Sequence, residues 1–164
     1  MKENYLDYHL IEEEEIPKIP LYMDQITGYL DELFEPIRKS EGEKTLTKTM
    51  INNYVKASVI NSPEKKKYNR LQIMELMMIY LMKNTSQIQE IDLLFKSFNE
   101  TSELYREFTN QYNNSLEELK NLVHTSDLSN LELAMKLMIK SSVEKRYAEM
   151  LLEELENDAW IKAI

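Results

Sequence analysis

Two short clusters in this sequence carry side chains able to hold a phosphate or read the edge of a base. The first is Lys48, Thr49, Asn52, Asn53 and Lys56, spaced so that one side of a helix would present all five. Lysine brings charge to a phosphate, a threonine hydroxyl can donate to it, and an asparagine amide can pair with a base edge through two hydrogen bonds. The second cluster is Lys65, Lys66 and Lys67, set among the turn formers Asn61, Ser62, Pro63 and Asn69. A solvated helix face and a solubilising turn use the same residue types, so the placement of charge matters more than the types. Between Arg38 and Arg70 nine cations stand against three anions, while the rest of the chain sets eleven cations against 26 anions. The chain as a whole is acidic, with a formal charge of −9, yet this one segment is net positive by six. Screening over roughly 8 Å at physiological salt lets such a segment respond to its own charges rather than to distant ones.

Presenting both clusters together requires helices around them. Leu21, Tyr22, Ile26, Tyr29, Leu30, Leu33 and Phe34 recur at helical spacing until Pro36, which predicts a first helix over 21–34. A polar connection over 38–44 leads to a second helix over 47–58, capped by Thr47 and turned inward through Met50, Ile51, Tyr54 and Val55. Residues 61–69 read as a short hairpin or an irregular loop. A third helix from about Asn69 or Arg70 to Lys83 is apolar nearly all round, which marks it as central and buried. Ser86-Gln87-Ile88-Gln89 fits a capping box opening a fourth helix to about Phe98. The spacing Leu104, Phe108, Tyr112, Leu116, Leu119 and Val123 suits one long helix, and Asn113-Asn114-Ser115 leaves two helices equally compatible. Ser129-Asn130-Leu131-Glu132 then opens a last helix to about Asn157. Residues 1–20 form an arm, with an acidic run and two prolines, whose Tyr5, Leu6, Tyr8, Leu10 and Ile11 could dock on the body.

Composition narrows the function classes. With 2 Gly and 4 Pro, and neither residue type after Leu71, the chain lacks the punctuation that a sheet protein needs, so it reads as all-α. The absence of cysteine rules out thiolate chemistry and disulfides. His9 and His124 lack ligand-like spacing, Glu117-Glu118 and Glu153-Glu154 read as solvated faces, and no Gly-rich phosphate loop or serine nucleophile motif occurs. The ten methionines fall at helical spacing, where thioethers usually fill a core. The expectation is therefore a protein that is not an enzyme and needs no cofactor or metal. With no apolar run of membrane-spanning length and no signal peptide, it is expected in the cytoplasm and away from membranes.

The order helix, turn, helix, basic turn, buried helix, helix resembles the winged helix-turn-helix of the MerR kind over about residues 21–99. The run from Lys48 to Ile60 lies over the MerR-like short helix, with Tyr54 on its second aromatic; Ser62-Pro63-Glu64 and Lys67-Tyr68-Asn69 are similar to its wing and exit. Where that superfamily has an Arg and an aromatic, Asn52 and Asn53 stand here, and the helix-ending Gly is Ser58. Ile19-Pro20-Leu21-Tyr22-Met23-Asp24-Gln25, the run from Leu46 to Lys56 and Lys65-Lys66-Lys67-Tyr68 resemble more closely a bacterial family of uncharacterised proteins, domain of unknown function number 1836.

These resemblances imply an all-α fold with a MerR-like winged helix-turn-helix N-terminal half and a C-terminal helical hairpin. The chain then divides into an arm (1–20), the winged domain (21–99) and a C-terminal region (100–164). They also imply a transcriptional regulator that binds double-stranded DNA, with 47–58 as recognition helix and 61–69 as wing. Lys48, Thr49, Asn52, Asn53, Lys56, Lys65, Lys66 and Lys67 would make the contacts. A homodimer through the C-terminal helices would set half-site spacing. The alternative is a non-catalytic adaptor that keeps the winged core without DNA contact. No motif assigns a small-molecule effector.

Overall fold

A helix with no polar side must be enclosed to be stable, and α3 (Arg70–Met82) is enclosed: Ile73, Met74, Leu76, Met77, Met78 and Ile79 are fully buried. The computed structural model describes residues 5–163, which place the other elements around this post. They are β1 (Leu21–Tyr22), α1 (Met23–Leu33), α2 (Lys48–Lys56), β2 (Lys67–Tyr68), α4 (Ile88–Lys96), α5 (Thr101–Thr125) and α6 (Asn130–Ala163). The protein is all-α apart from one antiparallel ribbon, in which Leu21 pairs with Tyr68 and Tyr22 with Lys67. The three central methionines of α3, Met74, Met77 and Met78, are core filler as their spacing predicts.

The first helix begins at Met23 rather than Leu21. Pro20 removes a backbone donor and the two residues after it are drawn into the ribbon, so the helix starts where the Gln25 side chain accepts from the Tyr22 N–H at 2.9 Å. α4 starts one residue later than Ser86-Gln87-Ile88-Gln89 implies, because Glu90 rather than Gln89 reaches back, accepting from the Gln87 N–H at 2.7 Å. α6 opens on the expected box, with Glu132 accepting from the Ser129 N–H at 2.9 Å, and runs beyond Asn157.

α5 is one uninterrupted helix. Asn113, a candidate break, instead works as a clamp: its side-chain oxygen accepts from the Leu10 N–H at 2.8 Å and its amide donates to the Leu10 carbonyl at 3.0 Å. The two backbone groups of an extended segment are thereby satisfied by one side chain. Further along, Asp7 pairs with Lys120 at 2.7 Å, Tyr105 donates to the Ile11 carbonyl at 2.7 Å, and Ser102 donates to Glu13 at 2.9 Å. The N-terminal arm thus runs antiparallel to α5 and seats Leu10 and Ile16 in the common core, alongside Leu104 and Tyr105.

α5 and α6 follow one another as a hairpin would, but they do not close on themselves. α5 packs on α3, and α6 crosses to α4, where Lys145 reaches Glu90 at 2.6 Å. The expected C-terminal hairpin is therefore open, because α3 and the arm already occupy the apolar side of α5.

α2 ends in a Schellman motif. The Val59 N–H bonds the Tyr54 carbonyl and the Ser58 N–H the Val55 carbonyl, both at 3.0 Å, with Ser58 at φ 59°. A side chain in that left-handed conformation costs about 1 kcal/mol relative to glycine. Ser58→Gly is expected to raise stability by about 1 kcal/mol, equivalent to a thermal midpoint higher by about 2–4 °C. A thermal melt followed by circular dichroism checks this, and an unchanged or lower midpoint contradicts it.

Candidate nucleic-acid interface

α2 is fixed at its start by the Thr47 hydroxyl, which accepts from the Met50 N–H at 3.2 Å, and along its inner side by Ile51, which is fully buried. That anchoring turns Lys48, Thr49, Asn52, Asn53 and Lys56 outward together, and all five are exposed. Thr49, Asn52 and Asn53 form no side-chain hydrogen bond among the described residues, so their polar groups are free for a ligand. Lys48 forms an ion pair with Asp24 in the first turn of α1.

The basic turn is a hairpin rather than an irregular loop. Glu64 and Lys67 face each other across it, with the Lys67 N–H donating to the Glu64 carbonyl at 2.9 Å. Lys65 and Lys66 form its tip with φ 48° and 64°, which is the geometry of a type I′ turn, where Asn-Gly is the favoured pair. The stems are held to α3: Gln72 donates to the Asn61 carbonyl at 2.7 Å, Asn69 caps the helix, and Tyr68 is buried. Lys65 and Lys66 are exposed, whereas Lys67 is half-buried with its ammonium 4.8 Å above the Tyr22 ring.

Tyr22 and Asp24, two residues apart at the start of α1, thus hold one lysine from each cluster. This brings the opening of α2 and the hairpin to the same end of α1. Neither residue was among the candidates from the sequence, where Tyr22 reads as part of the apolar set of the first helix and Asp24 carries no assigned role. Its proximity to a basic helix could have been inferred only from the fold. Of the remaining cations in the segment, Lys44 pairs with Asp31 at 3.0 Å, Arg38 donates to the Glu43 carbonyl at 2.8 Å, and Arg70 donates to the Glu13 carbonyl. Lys39, Lys56, Lys65 and Lys66 form no ion pair among the described residues and supply the uncommitted charge.

A family model described as "Domain of unknown function (DUF1836)" matches residues 11–116. The chain belongs to this family. The DUF1836 match takes in the arm from Ile11, the ribbon, α1 to α4 and the packed part of α5, so both clusters lie inside it and α6 lies outside. No curated protein and no solved structure matches the chain. Among the described residues no group of three metal-ligating side chains converges, and no helix is long and apolar enough to cross a membrane.

Asp24 sets a partial brake on the lysine it holds. Were this surface to take a duplex, Asp24→Asn would free Lys48 for one more phosphate and steepen the salt dependence of that binding by about 1 in log–log slope. Anisotropy titrations at several salt concentrations read this directly, and an unchanged slope would show that Lys48 does not reach the backbone.

Proposed function

We propose that this DUF1836 protein is a DNA-binding regulator built on a MerR-like winged helix-turn-helix core. α1 and α2 form the helix pair, and the hairpin around Lys65 and Lys66 is the wing. The observation that carries this reading is the joint anchoring of the opening of α2 and of the hairpin at the start of α1, through Lys48 on Asp24 and Lys67 on Tyr22, which sets the exposed row of α2 beginning beside the lysine hairpin. In this arrangement Asn52 and Asn53 lie at the base edges of a major groove, Thr49 and Lys56 at the flanking phosphates, and the hairpin tip on the backbone beyond. The tip itself supports the assignment. Two consecutive lysines in left-handed conformation cost backbone energy that Asn-Gly would avoid, which is expected where charge at the tip is worth more than local stability.

The test is binding of purified full-length protein to genomic duplex fragments across a salt series, followed by selection and sequencing of the bound fragments. Binding that weakens steeply with salt and converges on a shared sequence supports the reading. Absence of duplex binding at low salt overturns it and leaves the adaptor role, in which the same core serves a protein partner.

A further inference from the structure

We propose that the outward side of α6 is the interface with a second copy of this chain, the two helices crossing antiparallel about a two-fold axis beside position 145. Lys145 marks the inner side of α6, because its ammonium reaches Glu90 on α4 at 2.6 Å. At 100° per residue, positions 143 and 147 lie on the opposite side of the helix. There Val143 and Tyr147 continue a row made by Met135, Ile139, Leu151 and Leu155, at a constant spacing of four residues. All six are exposed, by 47–65%. A contiguous apolar row of this kind on a charged protein marks an interaction surface.

The distribution of charge selects the occupant. Residues 132–146 carry four cations and two anions, whereas 147–158 carry five anions and no cation. Within one helix only Glu149 and Glu153 of the acidic half find partners, Lys145 and Arg146, which leaves Glu154, Glu156 and Asp158 as a negative run with no ion pair among the described residues. A second α6 running the other way offsets it, laying the acidic half of each helix along the basic half of the other. Lys136, which forms no ion pair among the described residues, then falls level with Glu154 of the other copy. The same axis pairs Val143 with Tyr147 and Ile139 with Leu151 in both directions, as a closed two-fold contact requires. A parallel pairing would set acid on acid. The contact lies beyond the family match and is independent of whether the chain binds DNA.

Sedimentation equilibrium of the full chain at micromolar concentration is expected to show a dimer. V143E together with Y147E should weaken association by roughly a hundredfold or more while leaving helical content unchanged, because both side chains point away from the body. K136E should also weaken it, and adding E154K to the same chain should restore it, which a parallel pairing cannot do. The chain has no cysteine, so an oxidised mixture of K136C and E154C chains reports the direction, cross-linking to each other if antiparallel. A monomeric wild-type chain, a dimer indifferent to V143E and Y147E, or K136C cross-linking to itself would each overturn the proposal.

Discussion

Replacing Lys65 by Asn and Lys66 by Gly is expected to stabilise the protein and, on the DNA-binding reading proposed above, to weaken duplex binding in the same step. The stability gain follows from the backbone. Both residues sit at positive φ, where a side chain costs about 1–2 kcal/mol, glycine costs nothing and asparagine little. The double variant should therefore gain about 1–2 kcal/mol in denaturant unfolding. The affinity loss follows from counterion release. Two phosphate contacts removed should flatten the log–log salt slope by about 2, which at physiological salt corresponds to roughly thirtyfold weaker binding. Opposite signs in one variant separate a role in binding from a role in folding. A variant that is more stable and binds as well as the parent would show that the hairpin tip does not touch the nucleic acid.

The second large effect concerns Glu75, a carboxylate enclosed on α3. One of its oxygens accepts from the Thr101 hydroxyl at 3.3 Å, and the other is buried with no partner. Burial pushes its pKa from 4.5 up to about 7. A carboxyl raised in the folded state binds its proton more tightly there than in the unfolded chain, so its effect on stability is felt on the alkaline side. The contribution is intact below about pH 4.5, falls as pH rises through 7, and by about pH 8 has cost about 3 kcal/mol. Glu75→Gln keeps the shape and the acceptor for Thr101 but cannot ionise. The difference in unfolding free energy between parent and variant should shift by about that amount in favour of the variant between about pH 4.5 and 8. Asp31 and Glu90 have lowered pKa values through their partners, Thr45 and Lys44 for the first and Lys145 for the second. They tilt the parent profile the other way, so the comparison is made between the two proteins and not along one curve. A difference that stays constant with pH would mean that Glu75 keeps its charge when folded.

Much of this arrangement is legible in the sequence. The apolar circumference of α3, the Thr47 cap of α2 and the Ser129 box of α6 are local properties, expressed within a turn or two of the chain, and the structure carries each of them. What was not legible depends on distant partners. The ribbon that shortens α1 needs Tyr68 to meet Leu21. Asn113 looks like a helix breaker by type, and only the backbone of Leu10 beside it turns it into a clamp. The eight candidate contact residues were found by charge and spacing, but the neutralisation of Lys48 by Asp24 and the capture of Lys67 by Tyr22 are products of tertiary packing. Burial of Glu75 escaped notice because a single acid on a helix normally faces water; here α5 covers it.

The strap formed by the arm also has a temporal side. Leu10 meets Asn113 across 103 positions and Asp7 meets Lys120 across 113, so the arm, synthesised before α5, finds its seat only once α5 has left the ribosome. Contacts that close loops of this size form late and slowly. Until α5 is complete, the nascent chain has no place to put Leu10 and Ile16, and the groove awaiting them stays open to chaperones or to the arm of another molecule.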